Sequence, residues 1–302
     1  MNSNVDISLP AKWVHSDALD DALHFAGDVH GDLIKTVNIH IPTNCKVMVD
    51  AAVRLLCLAN QLSHRGKQVK MTFHEGQTGA MGYLDRIGFF GFLSSGVTVD
   101  PTPPALSGSW RYKGSNPGLM EIEAITPKRR DQTLPGRLAD RLKEAANGAE
   151  AQSALSRAAF TVFGELIDNV FQHSSTILDG YAALQFYTGR AKVIVSDSGD
   201  GLLQTLRPAL QKESSTYASL SDVDLLVAAF TAGVSRFGSI RGMGLKTSAE
   251  TALKYNADLH VRLPRCQVHL IPARAGYGVA HFQDGLPLMW GTHISFDFNI
   301  DH

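Results

Sequence analysis

The sequence predicts a mixed α/β chain in two parts, a small βαβα layer followed by an α/β sandwich with a mostly antiparallel sheet. Three observations predict it. Strand and helix patterns alternate through about the first hundred residues. A Pro- and Gly-rich stretch at residues 99–118 then interrupts them. Beyond it, two strand patterns separated by Thr188-Gly189-Arg190 read as a hairpin, which strict parallel β-α alternation does not allow.

Taken in order, Val37-Asn38-Ile39-His40-Ile41 alternates with period two, the mark of a half-buried strand. Over 46–64, Val47, Ala51, Leu55, Leu58 and Leu62 recur at steps of three and four, a helical stripe with Gly66 past its end as a C-cap. Residues 68–73 (QVKMTF) read as a strand and 79–90 as a second helix. Pro101, Pro103, Pro104 and Pro117 mark a linker or long loop, dividing the chain at 1–98, 99–129 and 130–302. A helical stretch at 134–146 precedes a stronger one at 151–173, where Leu155, Ala159, Val162, Phe163, Leu166, Ile167 and Val170 form the apolar stripe. The hairpin strands fall at 181–187 and 192–197. A polar, mixed region follows to 241, then a helix from about 242 and strands at 258–263, 267–271 and 293–300.

The chain of 302 residues is 44% hydrophobic and 19% charged, enough to bury a core. Lys plus Arg is 28 against Asp plus Glu 29, which argues against a broad nucleic-acid or membrane surface. There is no apolar run of about 18 residues. The start, MNSNVDISLPAKW, lacks the basic and apolar regions of a signal peptide. A soluble, cytoplasmic protein is expected. Cys45, Cys57 and Cys266 form no C-x-x-C pair, so neither a disulfide framework nor a zinc site is expected. Cys57 falls in an apolar helical pattern and reads as core.

Three motifs fall on these elements. In the first, Glu165, Asn169 and His173 are four apart and share a helix face opposite the apolar stripe. Asn offers a neutral oxygen to a hard cation, and Glu can orient or deprotonate a water. The second, Asp197-Ser-Gly199-Asp-Gly201, directly follows a strand. Its glycines allow close backbone approach, and its carboxylate can accept a hydrogen bond from an exocyclic amine such as adenine N6. The third, residues 238–247, opens a helix with Arg241, Gly242, Gly244, Leu245 and Lys246. A glycine-rich helix start is an anion site, and the two basic side chains add charge. Each alone also fits a solvated helix face, a Gly-Asp turn or a flexible loop.

In this order the three resemble the N, G1 and G2 boxes of the GHKL, or histidine-kinase-like, ATPase superfamily. The resemblance covers about residues 130–302 and is nearest the histidine-kinase and anti-sigma-factor-kinase branches. Gly291-Thr292 matches the late Gly-Thr of that site. The resemblance implies a Bergerat-type α/β sandwich binding ATP with Mg²⁺. Asn169 would ligate the metal and Glu165 act as the catalytic base. Asp197 would read adenine, with Gly199 and Gly201 giving it room and Thr292 closing the site. Arg241, Gly242, Gly244, Leu245 and Lys246 would line the phosphate side, under a lid over 204–239. The N-terminal part loosely resembles a STAS-type regulatory domain in element order. A protein partner and a homodimer are compatible with this reading, as is a non-hydrolysing, ATP-gated interaction module. The helix at 134–146 contains no His, so autophosphorylation is not expected.

Two further motifs are weighed and set aside. Gly27-Asp28-Val29-His30-Gly31-Asp32 has the look of a metallophosphatase box, but the later boxes are absent. Gly244-Leu245-Lys246-Thr247 approximates a P-loop, yet Leu245 separates the Gly from the Lys. His260, His269 and His293 read as strand-face residues.

Overall fold

The computed structural model describes residues 3–146, 148–173, 176–234, 243–274 and 276–299, without the side chains of 145, 172, 173 and 243. Its first part runs β1 (Asn4–Ser8), β2 (Trp13–Val14), α1 (Ser16–Ala26), β3 (Thr36–Ile41), β4 (Lys46–Val47), α2 (Val49–His64), β5 (Gln68–Phe73), α3 (Gly79–Arg86), β6 (Val97–Asp100) and α4 (Gly108–Tyr112). β1, β3, β5 and β6 pair in that order as a parallel sheet. β2 and β4 form a separate parallel pair. In β3, Val37, Ile39 and Ile41 are buried and the residues between them only partly so. β5 alternates likewise. One face of this sheet therefore meets solvent, whereas parallel sheets are usually covered on both.

The second part runs β7 (Leu119–Ile125), α5 (Leu134–Leu142), α6 (Ala149–His173), β8 (Gly180–Tyr187), β9 (Arg190–Ser196), α7 (Leu202–Lys212), α8 (Asp222–Thr231), α9 (Met243–Lys254), β10 (Ala257–Arg262), β11 (Gln267–Ala273), β12 (Gly276–Gln283) and β13 (His293–Asn299). Its seven strands lie in the order β12-β11-β10-β13-β9-β8-β7, every neighbouring pair antiparallel. The hairpin is β8–β9, turning at Gly189 with φ 72°. No described helix is long and apolar enough to cross a membrane.

Three expectations change. The helix expected from 46 starts at Val49, because Met48 is extended and Lys46 and Val47 pair with β2. The Pro/Gly stretch at 99–129 holds the end of β6, α4 and β7. β7 buries Leu119, Met120 and Ile122 as the edge strand of the large sheet, and its buried Glu121 meets Arg86 at 2.5 Å. The polar region after Gly199 contains α7 and α8, which bury Leu203, Leu206, Leu225, Leu226 and Phe230.

α2 fixes how the two parts meet. Every residue from Val49 to Leu62 is buried. A helix buried all round must lie between two layers, and α2 packs against β5 and β6 on one side and β8 and β9 on the other. One core unites its residues with Tyr181, Ala183 and Ile194. Ala182, Leu184, Val193 and Val195, pointing oppositely, pack with Phe163, Leu166 and Ile167 of α6. The layers are thus parallel sheet, first helices, antiparallel sheet, second helices. Polar pairs cross the inner junction. Val49 N–H donates to Tyr187 Oη at 3.0 Å, Asn60 Nδ2 to Tyr181 Oη at 2.9 Å and Tyr83 Oη to Gln185 at 2.5 Å.

Candidate functional site

The site is built where α6 crosses the end of β9. Leu166, Ile167 and Val170 of α6 are buried against the sheet. Asn169, on the neighbouring stripe, is half-buried, and Glu165 is exposed at the helix edge. Past β9 the loop turns back on itself, with Gly199 N–H donating to Asp197 Oδ1 at 2.7 Å. Asp197 N–H donates to Thr292 O at 3.0 Å, and Leu202 N–H to Thr292 Oγ1 at 3.0 Å. The loop after β9 and the residues entering β13 are therefore tied together. Two glycines make this approach feasible. Gly291 has φ 101°, and a Cβ there would lie 2.0 Å from Asp197 O. Gly201 has φ 85°, and its Cβ would lie 2.5 Å from the Pro264 ring.

Asn169, Asp197, Gly201, Leu245 and Thr292 come from separate segments and line one narrow cavity of about 40 Å³. Aliphatic walls are added by Leu166, Val170, Val195 and Ile294, and Thr205 of α7 completes it. Those walls fell within apolar periodicity and read only as core. Asn169 Nδ2 is buried with no hydrogen-bond partner among the described residues. Burial pushes the Asp197 carboxyl up to about 6, against the lowering effect of its bonds from Gly199 and Thr292. Burial, then the nearby Asp168, raises the Glu165 carboxyl as well. Asp168 is held at 2.5 Å by Arg130, the last of three consecutive basic residues, Lys128-Arg129-Arg130, which thereby docks on α6.

No protein-family model and no curated protein matches this chain.

Other sequence-selected residues stand around this cavity without lining it. Glu165 abuts the first turn of α9, where a Cβ on Gly244 would lie 2.1 Å from its carboxylate. Lys246 lies 3.8 Å from Glu250. Gly199 faces a separate open cleft of about 790 Å³, lined also by Asp200, Asp222, Asp284, Arg265 and Trp290. Arg241 and Gly242 lie outside the described residues, as do the last part of the expected lid and the His173 side chain. Residues 27–32 form a turn after α1 in which His30 N–H donates to Asp28 Oδ1 at 3.2 Å, and the buried His30 ring stacks on Trp290 at 5.2 Å.

One contributor lay beyond sequence reasoning. Gln61 of α2 is fully buried behind the site. Its Nε2 donates to Ser198 Oγ at 3.1 Å and to Trp290 O at 3.0 Å, and its Oε1 accepts from Trp290 N–H at 3.0 Å. A single carboxamide from the first part thus braces both segments that flank Asp197. A buried apolar slot with one carboxylate and an unmet donor has the chemistry, but at about 40 Å³ not the room, for a planar heterocycle bearing an exocyclic amine.

Proposed function

We propose that the protein binds Mg²⁺·ATP in this cavity in the manner of the histidine-kinase-like ATPases, its second part being a Bergerat-type sandwich. The observation that carries the reading is the convergence of Asn169, Asp197, Gly201, Leu245 and Thr292 on one slot. Asp197 accepts a hydrogen bond from adenine N6, between the aliphatic walls. The unmet Asn169 donor fits a polar ligand in that slot, and its amide oxygen suits a hard cation. Mg²⁺ commonly takes only one or two protein ligands beside phosphates and water. The described residues hold no cluster of three His, Cys, Asp or Glu suited to a metal, and Mg²⁺ needs none here. When bound, the ion offsets phosphate charge. By the sequence resemblance, Arg241, Gly242, Gly244 and Lys246 would serve the phosphate side, and Glu165 would be the base.

The slot of about 40 Å³ has room for little more than a water, whose share of the liquid is about 30 Å³. Binding therefore separates α9 and the lid from α6. The wider cleft beyond Gly199 sets Asp200, Asp222 and Asp284 against Arg265 alone, an unfavourable lining for a triphosphate.

The test is calorimetric titration of the full chain with ATP and Mg²⁺. Asn169→Ala should weaken binding by about tenfold or more while leaving the urea midpoint in place. An unchanged affinity removes Asn169 from the metal. Glu165→Ala should retain ATP and slow turnover by roughly 10²–10⁴. Wild-type phosphate release in that variant would show that Glu165 is not the base.

A second reading, a non-hydrolysing ATP-gated module, is favoured by the Gln61 brace, which offers a path from the slot to the STAS-like first part. A protein partner or a second copy of the chain would read that state. Gln61→Leu strips Ser198 and Trp290 of buried partners, each worth about 1–3 kcal/mol, and should weaken ATP binding by roughly tenfold. ATP affinity equal to wild type in a folded variant would disconnect the first part from the slot. ATP binding without phosphate release in a single turnover would favour the gate over the enzyme.

A further inference from the structure

A second cavity, of about 130 Å³, lies where the starts of α1 and α2 face β10, β11 and β13. It shares no lining residue with the slot assigned to ATP. Its polar lining includes Arg54, Arg262, His260, His269, His293 and Ser295. The two guanidiniums are 1% and 2% exposed and share one carboxylate, Asp20, at 2.6 and 3.0 Å. One positive charge is left over. The adjacent cluster does not cancel it. There Lys192 lies 3.4 Å from Asp50 and 3.5 Å from Asp297, and Arg190 lies 3.2 Å from Asp297, two cations against two carboxylates. Asp17, the carboxylate that lines the cavity, is exposed to solvent. An uncompensated buried charge is costly, and a bound anion removes the cost.

Two buried atoms define the rest of the ligand. Arg54 Nε has no hydrogen-bond partner among the described residues, nor has His293 Nδ1. His293 Nε2 lies 3.1 Å from Trp290 O, a carbonyl that can only accept, so the ring proton sits on Nε2. Burial holds this ring well below the ordinary histidine range and therefore neutral. Nδ1 is then a lone-pair acceptor awaiting a donor. Metal ligation is not the use of these rings. His260 and His269 stack face to face at 3.8 Å and 15°, and no three ligands among the described residues converge on a cation.

We infer that this cavity binds a small oxyanion carrying a hydroxyl, of the hydrogen-phosphate or short hydroxy-acid class. Arg54 and Arg262 meet its charge, and His293 Nδ1 accepts from its hydroxyl. Size agrees, since an apolar cavity of about 150 Å³ admits benzene, so a ligand of about six heavy atoms fits.

The test titrates the full chain with inorganic phosphate and, separately, lactate near pH 7 by calorimetry. Sulfate serves as the control of like size without an O–H. Saturable binding is expected for phosphate or lactate, and the tighter of the two gives the class. Sulfate should bind roughly tenfold more weakly. Arg54→Met leaves Asp20 and Arg262 as a neutral pair, so it should fold and lose about tenfold or more in anion affinity. Should Arg54→Met fail to fold, Ser295→Leu fills the cavity without altering its charge and should produce the same loss. No saturable binding of either anion overturns the inference. Equal binding by the wild type and the folded variant also overturns it, because the ion then sits elsewhere.

Discussion

Asp197→Asn should make the protein more stable at pH 7 and cost it most of the ATP affinity proposed for it. The folded carboxyl titrates at about 6, above its ordinary 3.8, because burial disfavours the charged form. Between those values the native state binds more protons than the unfolded state. Stability therefore falls as pH rises from about 4 to about 6 and stays lower above that. The displacement corresponds to roughly 3 kcal/mol that asparagine does not lose. The amide oxygen of the substituted side chain can still accept the Gly199 N–H, so the turn survives. The hydrogen bond proposed to adenine would lose its charge, an expected fall of about tenfold to a hundredfold in affinity. Urea unfolding from pH 4 to 8 should show the variant gaining on the wild type as pH rises, with calorimetry showing the lost ATP. A variant less stable than wild type at pH 7 would mean that the carboxylate supports the fold as an anion.

The largest loss of stability is expected from Gly291→Ala. Its φ of 101° alone costs an L-residue about 1–3 kcal/mol. The new Cβ would also stand 2.0 Å from Asp197 O, a backbone atom that cannot swing aside. Thr292 must then move, breaking its bonds to Asp197 and Leu202. A loss of about 4 kcal/mol or more follows, in the upper tail for single substitutions, with the proposed ATP binding lost alongside. Gly114 is the control, with φ 72° and nothing within 4 Å of its Cβ, so Gly114→Ala should cost the backbone term alone. Equal urea midpoints for the two variants would show that the Gly291–Asp197 contact relaxes freely.

The contrast between what the sequence disclosed and what it hid has a physical basis. Period-two alternation located β3 and β5 because each has a single covered face. The stripe in α2 is legible in the sequence, but a stripe alone does not disclose burial on every side. Val49, Ala52, Val53, Leu56, Cys57 and Ala59 surround the stripe, and the helix is covered on every side. Asp50, Arg54, Asn60 and Gln61 pass for a solvent face in the sequence, since nothing local announces their partners. Their partners include Ser16, Asp20, Phe92 and Ser94 of the first part and Lys192, Tyr181 and Trp290 of the second, all distant in sequence. β7 was masked by the prolines and glycines before it. Within the candidate site, the polar and glycine residues stood out against their surroundings, whereas Leu166, Val170 and Ile294 could not be told from ordinary core.

A helix without a solvent face also orders events during synthesis. The first hundred residues can close their parallel sheet as they emerge, but one flank of α2 stays bare until β8 and β9 exist. Gln61 waits longer still, for Trp290, 229 positions later. Until then α2 presents apolar side chains and the unmet Gln61 amide to the cell. The protein therefore completes its native state late and as one cooperative unit, and the N-terminal layer, through Gln61, is a brace for the loop around Asp197 as well as a neighbour to it.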